Sequence, residues 1–93
     1  MKTEKQVEEE LKKFIKRFLP IWKNLSVEIV KQWIYEEDGP PLEATHKVQE
    51  KFFEYFENTK ADINEVLQIA TDTWNYFPHK SLGGKSPNQM VEG

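Results

Sequence analysis

The chain has 93 residues, of which 38% are hydrophobic and 13% aromatic, and its formal net charge at neutral pH is −3. This length supports one domain, residues 1–93, with a single core, and the aromatic content excludes a disordered chain. The sequence pI of about 5.4 argues against nucleic-acid binding by the whole surface. Without cysteine there are no disulfides or cysteine-ligated zinc sites. The acidic N-terminus and the lack of a long apolar run predict a cytoplasmic protein that makes no membrane contact.

The first segment has the pattern of an amphipathic helix that starts after Thr3 and ends before Pro20. Thr3 and Gln6 fit a capping box, and Pro20 forces the preceding residue out of the helical conformation. Glutamates precede lysines, which favours ion pairs between side chains four residues apart. These pairs are Glu8–Lys12 and Glu9–Lys13. The apolar stripe that we expect to face the core comprises Val7, Leu11, Phe14, Ile15, Phe18, Leu19 and then Trp22.

The stretch NLSVEIVKQWIYEEDGPP carries two competing patterns. Its two-residue alternation and its β-branched residues are typical of a strand, whereas a second set of residues shares a helical face. That face comprises Val30, Trp33, Ile34 and Glu37. A strand here has no partner to pair its backbone groups, so we predict a second helix. Asn24 or Ser26 caps its start, and Gly39, which two prolines follow, marks its end.

A third helix is predicted from about Leu42 or Thr45 to Glu57. Its apolar side comprises Val48, Phe52, Phe53, Tyr55 and Phe56. The polar pair Asn58 and Thr59 then interrupts the pattern, which predicts a turn.

A fourth helix is predicted between Asp62 and Phe77. Asp62, with Glu65 three residues later, is typical of an N-cap, and Pro78 stops the helix at Phe77. The apolar stripe comprises Ile63, Val66, Leu67, Ala70, Trp74 and Phe77.

The remaining stretch, HKSLGGKSPNQMVEG, reads as a loop followed by a helix start. Ser86 as N-cap, Pro87 at the first helical position and Gln89 complete a second capping box. The fold class that follows is an all-α, single-domain bundle of about four amphipathic helices, with a C-terminal loop and a short helical turn.

Two local motifs suggest chemistry, and both are incomplete. LGGKSP resembles the end of a phosphate-binding loop, but that motif needs glycine where this chain has His79. The interpretation we prefer is a turn in which Gly83 and Gly84 adopt positive φ. Glu43-x-x-His46 has the spacing of a di-iron helix motif, which requires a second copy and two further glutamates. We therefore expect surface residues here, and neither a metal nor a cofactor.

Catalytic groups are scarce in this sequence. Ser26, Ser81 and Ser86 show no sequence-level link to a base, and no acidic pair stands out, so we do not expect an enzyme. A basic group on the first helix could face an acidic partner or a phosphate backbone, although a solvated helix face is the interpretation we prefer. This group comprises Lys12, Lys13, Lys16 and Arg17.

The stretch WNYFPHKSLGGKSPNQM carries a family resemblance. It resembles the C-terminal signature of integrase-type transposases of bacterial insertion sequences, and the tail of small uncharacterised prokaryotic proteins. In that signature an aromatic-Asn pair ends a helix, Pro-His and Ser-Leu-Gly follow, and Ser/Thr-Pro opens the next helix. The matching positions are Trp74, Asn75, Pro78, His79, Ser81, Leu82, Gly83, Ser86 and Pro87.

The resemblance covers about twenty residues and implies a shared local structure. The catalytic carboxylates of that family lie outside the signature, so no catalytic residue is carried over. Where the family typically has arginine before Pro-His, this chain has Phe77, an apolar contact in place of a charge. Candidate binding residues in the loop are Asn75, His79, Lys80 and Lys85. Residues with an expected structural role are Trp74, Pro78, Leu82, Gly83, Gly84, Ser86 and Pro87.

Two functions remain open from the sequence. The first is a non-enzymatic helical module that associates with itself or with another protein, since several large residues fall off the main stripes and can form an exposed patch. These residues are Tyr35, Tyr55, Tyr76 and Ile69. The second is a nucleic-acid-associated accessory protein related to mobile elements, which rests on the tail signature and its lysines. We prefer the first.

Overall fold

The computed structural model describes residues 2–37 and 39–92, and within them the chain is all-α. Its helices are α1 (Glu4–Phe18), α2 (Val27–Glu36), α3 (Pro41–Phe56), α4 (Ile63–Tyr76) and the short α5 (Pro87–Glu92). Two three-residue 3-10 turns, Ile21–Lys23 and Lys80–Leu82, lie in the connections. The predicted helical bundle with a C-terminal loop and a short final helix is confirmed.

Helix starts follow the capping signals in the sequence. The predicted box at α1 forms, because the Gln6 amide donates to Thr3 Oγ1 at 3.2 Å and the Thr3 amide donates to Gln6 Oε1 at 2.8 Å. Of the two candidate caps for α2, Ser26 is the one used, and its Oγ accepts from the Ile29 amide at 3.3 Å. Asp62 caps α4 as predicted. Each cap satisfies a backbone donor that the first turn leaves unpaired.

Helix ends follow proline and turn residues less uniformly. Leu19 is extended before Pro20, and Phe77 is extended before Pro78, as the prolines require. The second helix ends at Glu36, three residues before Gly39. The third helix begins at Pro41, one residue before the earlier predicted start, because proline is favoured in the first turn.

Helix α4 lies at the centre of the bundle and packs against α1, α2, α3 and α5. It runs antiparallel to α1, since Lys2 Nζ lies 2.7 Å from Asp72 Oδ2 while Phe18 borders the same surface depression as Asp62. The core contains aliphatic and aromatic side chains from the first four helices and their connections. They are Val7, Leu11, Leu19, Leu25, Val30, Ile34, Val48, Phe52, Phe56, Val66, Ile69, Ala70 and Phe77.

Lys31 of α2 joins three parts of the chain. Its ammonium pairs with Glu4 Oε2 at 2.9 Å and with Glu8, and it lies 5.3 Å from the centre of the Phe77 ring. Partial burial lowers the pKa of Lys31, but the two carboxylates outweigh it, so the pKa is raised above its ordinary value. In the described part of the chain Glu8 therefore pairs across helices, not with Lys12 along its own helix as predicted.

Asp72 is a buried carboxylate whose charge is compensated by side chains around it. Only 7% of the residue is exposed, and its oxygens accept from Lys2 Nζ at 2.7 Å and from Gln68 Nε2 at 3.0 Å. The hydrogen bond to Asp72 raises the pKa of Lys2. This contact thus fixes the N-terminal segment to α4, the central helix of the bundle.

Three expectations about exposure are wrong. Trp22 is 77% exposed instead of continuing the stripe of α1, because Pro20 ends the helix and the 3-10 turn changes the direction of the side chains. Ile69 is buried, since α4 has helices on more than one side. Tyr55 and Tyr76 are half-buried against the core, which leaves Tyr35, at 42%, as the exposed member of the expected patch.

One member of the α4 stripe also differs from its prediction. Ile63, in the first turn of α4, is 61% exposed, because the first turn extends beyond the packed part of the bundle, where Val66 begins the core contacts. Over the described residues, none of the helices has the length and apolar character needed to cross a bilayer.

Candidate binding cleft at the C-terminal loop

The loop after α4 begins at a fully buried aromatic side chain. Phe77, the C-cap of α4, is 0% exposed and its amide donates to the Thr73 carbonyl at 3.0 Å. Pro78 then turns the chain away from the helix axis. Phe77 is therefore a core residue at the point where the loop begins.

His79 ties the loop to the end of α4. The residue is 2% exposed, and its Nε2 lies 2.7 Å from the Trp74 carbonyl oxygen. A carbonyl only accepts, so Nε2 carries the proton and donates. The two rings meet edge to face, with centroids 4.5 Å apart. His79 thus connects the loop to the backbone of the last turn of α4.

Burial also changes the acid–base behaviour of this imidazole. Loss of solvation lowers the pKa of His79 below its ordinary value, and the hydrogen bond to the Trp74 carbonyl opposes that shift in part. The neutral form is thus favoured in the folded protein. With Nε2 already donating to backbone, this histidine serves as an anchor of the loop.

The glycine pair reverses the chain, as predicted. Gly83 has φ of 68° and Gly84 has φ of 85°, in the left-handed region that other residues seldom adopt. The Gly84 amide donates to the His79 carbonyl at 2.9 Å, and the His79 amide donates to the Lys85 carbonyl at 3.0 Å. The loop is closed by its own backbone before α5 begins.

The second predicted capping box starts α5. The Gln89 amide donates to Ser86 Oγ at 3.2 Å, and the Ser86 amide donates to Gln89 Oε1 at 2.8 Å. Ser86 is buried and Pro87 occupies the first helical position. This start directs α5 back over the end of α4, against which it packs.

An apolar cleft of about 310 Å³ lies between this loop and the α2–α3 connection. Trp74 and His79 line it on the side of α4, Leu82 on the loop and Met90 on α5. The remaining lining residues are Glu37, Gly39, Pro41, Ala44, Ser81 and Pro87. Two segments far apart in sequence, 37–44 and 74–90, thus meet around one concave apolar surface.

The predicted loop residues divide into two groups around this cleft. His79, Trp74, Leu82 and Pro87 line it, although all but His79 were expected only to support the fold. The binding candidates Lys80 and Lys85 are exposed and do not line the cleft, and Asn75 is half-buried outside it. What these positions bind stays a prediction.

One wall of the cleft could not be inferred from the tail. Glu37 and Gly39 come from the α2–α3 connection, and Pro41 and Ala44 from the start of α3, some forty residues earlier in the chain. The sequence offers no signal that joins them to the loop. Met90 had a weak signal as the last large apolar residue of a short capped helix. It is 53% exposed.

The metal motif considered above lies on the surface of α3. Glu43 and His46 are both exposed, and within residues 2–37 and 39–92 no three carboxylate, imidazole or thiolate side chains come together to hold a metal ion. Comparison of the chain with protein-family models, with curated proteins and with solved structures found no significant match.

Proposed function

We propose that this protein is a non-enzymatic helical module whose cleft binds a large apolar side chain of another protein molecule. The observation that carries the proposal is the lining of the cleft, where an indole, a leucine, a methionine and two prolines surround one opening. Its volume of about 310 Å³ lies at the lower limit of small-molecule sites, which suits one bulky side chain.

The polar groups of the cleft support a binding role over a catalytic one. The Nε2 of His79 donates to backbone, and the residue is 2% exposed, so the lone pair left on Nδ1 has little access to a substrate. The Glu37 carboxylate lies 3.6 Å from Lys47 Nζ and is already paired. Ser86 Oγ caps α5. These groups hold the walls of the cleft in place.

The rim of the cleft extends the apolar surface. Met90 is 53% exposed, and Leu42, next to the lining residue Pro41, is 70% exposed. Exposed apolar residues that adjoin a concave site are typical of protein-binding surfaces. A partner that fills the cleft would cover both.

The proposal can be tested with an uncharged indole probe, N-acetyltryptophanamide, added to isotope-labelled protein and followed by NMR. We expect saturable shifts at the Leu82 and Met90 methyl groups. Ser81→Trp, a change at an exposed residue of the lining, should abolish them by occluding the cleft. Thr71→Trp places the same side chain on an exposed position of α4 outside the cleft and should leave them unchanged.

The outcome that contradicts the proposal is equally clear. If wild-type protein shows no saturable shift, or if Ser81→Trp responds as Thr71→Trp does, then the cleft is not the binding surface.

A second candidate function is nucleic-acid association, which the exposure of Lys80 and Lys85 favours. The exposed basic group of α1, around Lys16 and Arg17, lies near the start of α4, whereas the loop lysines follow its end. Fourteen residues of helix, about 21 Å, separate the two groups, so they do not form one continuous track. This separation weakens the candidate relative to the first.

Salt-dependent binding tests this second candidate. If it holds, Lys80→Ala with Lys85→Ala should weaken binding to all DNA or RNA sequences alike and lower the salt dependence. Lack of binding to either nucleic acid at low salt would eliminate it.

A further inference from the structure

The most exposed apolar pair in the described chain lies at the other end of the bundle. Ile21 is 96% exposed and Trp22 is 77% exposed, both within the 3-10 turn that joins α1 to α2. We call residues 20–24 the Ile-Trp turn. The side chains emerge from an ordered backbone, because the Lys23 amide donates to the Pro20 carbonyl at 3.1 Å and the Asn24 amide donates to the Ile21 carbonyl at 3.0 Å.

We propose that the occupant of the cleft is the Ile-Trp turn of a second copy of this chain. This inference rests on the proposed function and names its partner. A cleft that suits one large apolar side chain and an outward-facing tryptophan occur in the same sequence, at positions that cannot meet within one molecule. They cannot meet because the turn adjoins the start of α4, whereas the cleft adjoins its end.

Charge complementarity supports a second copy as the occupant. The Ile-Trp turn is flanked by cations: Lys23 Nζ lies 5.3 Å from the Trp22 ring centre, and Arg17 precedes the turn on α1. The wall of the cleft formed by the α2–α3 connection and the start of α3 has a carboxylate at Glu37, which lines the cleft and already pairs with Lys47, and another close by at the exposed Glu43. Insertion of Trp22 would place its cations beside this wall.

The loop beside the cleft adds cations. Lys80 and Lys85 are exposed on this loop, outside the lining of the cleft itself. The end of the bundle that carries the Ile-Trp turn presents Asp62 and Glu65, together with Arg17 and Lys60, around a shared surface depression. Each surface thus carries charges of both signs at separate positions, which favours one orientation of docking.

The area of the contact sets the expected strength. A buried tryptophan removes about 150–250 Å² from water, and a stable interface buries about 1,200–2,000 Å² in total. One inserted indole with its neighbouring isoleucine falls well below that range. We therefore expect weak self-association, detectable at millimolar protein concentration and reduced by salt because charges guide it.

A complementation experiment tests the proposal by sedimentation equilibrium. Trp22→Ser removes the inserted side chain but leaves the cleft, and Ser81→Trp occludes the cleft but leaves the turn. We expect each variant alone to stay monomeric at concentrations where wild-type protein associates. An equimolar mixture should recover heterodimers, because one intact turn then meets one intact cleft.

Matched controls separate this contact from a general loss of apolar surface. Ile63→Ser removes an exposed aliphatic side chain at the same end of the molecule and should leave association unchanged. Thr71→Trp should do the same for the added indole. Because Trp22 and Ser81 are exposed, the circular dichroism of both variants should match that of the wild type.

The outcomes distinguish this inference from the proposed function. Wild-type protein that remains monomeric at millimolar concentration, or a mixture that does not associate, overturns the second copy as occupant. If the indole probe still binds the cleft in that case, the proposed function stands with a different partner. If wild-type protein does not self-associate and the indole probe does not bind, both the proposed function and this inference are wrong.

Discussion

Two connections of this bundle have similar backbones and opposite surroundings. Each follows a proline that ends a helix, forms a three-residue 3-10 turn and closes on a left-handed residue, Asn24 with φ of 57° or Gly83 with φ of 68°. In the first connection Ile21 and Trp22 face solvent, whereas in the second His79 is buried. Local backbone conformation therefore does not decide which connection joins the core.

Tertiary contacts make the difference. In the second connection the imidazole donates to the last turn of α4, the backbone pairs with Lys85, and α5 packs over the helix end. In the first connection the described backbone hydrogen bonds, from Lys23 and Asn24, stay within the turn. The second connection is thus held by the rest of the fold, while the 3-10 turn of the first leaves its two large apolar side chains in solvent.

The largest difference in stability is expected between substitutions at Phe77, which precedes Pro78, and at Trp22, two residues after Pro20. Phe77→Ala should reduce the free energy of unfolding by about 3–5 kcal/mol, because a fully buried ring leaves a cavity. Trp22→Ala should change it by less than about 0.5 kcal/mol, since the indole is exposed. Urea denaturation measures both. Equal losses would show that the first connection is also part of the core.

Trp74→Ala sharpens the comparison within the second connection. The indole packs on His79 but lines the open cleft, so it is only partly buried. We expect a loss of about 2–3 kcal/mol, below the value for a fully buried ring. A loss as large as that of Phe77→Ala would mean that the cleft closes in solution, which the NMR shifts of Leu82 and Met90 would then report.

Substitutions at the two residues with positive φ, Gly83 and Asn24, should change stability less, and the two changes should differ in kind. Gly83→Ala should cost about 1–2 kcal/mol from backbone strain alone, because nothing lies within 4 Å of the added Cβ. Asn24→Gly should stay within about 0.5 kcal/mol, since glycine relieves the same conformation in the first connection. Thermal unfolding of the pair checks this. A neutral Gly83→Ala would show that the loop adopts another backbone.

The smallest expected effect is a pH dependence of stability that arises from protonation of His79. Because the pKa of His79 is lowered in the folded state, the unfolded state binds a proton first as the pH falls. Stability from this group is therefore present above about pH 6.5 and is lost from there down to the folded pKa. The loss is limited, since Nε2–H donates to the Trp74 carbonyl in both protonation states.

Urea midpoints between about pH 7.5 and pH 5.5 measure this dependence, a range in which histidine titrates. His79→Gln should flatten the decline. His46→Gln, at the exposed histidine of α3, should keep it and serves as the control. A decline that persists in His79→Gln would assign the proton to another group.

The sequence best predicts those structural features that depend on residues close together in the chain. The capping boxes at Thr3 and Ser86 and the glycine turn involve partners at most six residues apart, and all three form as predicted. Exposure depends on the number of helices around a position, which is why Ile69 and Trp22 were wrongly placed. One wall of the cleft comes from the α2–α3 connection and the start of α3, which no local pattern links to the tail.

The ion pair between Lys2 and Asp72 has a consequence for synthesis of the chain. These residues are 70 positions apart, and α1 packs mainly on α4, so α1 leaves the ribosome well before the helix that covers it. Until α4 has emerged, the apolar stripe of α1 has no native helix to pack against, so the bundle cannot form early. We expect folding to occur late and nearly all at once, after α4 has emerged.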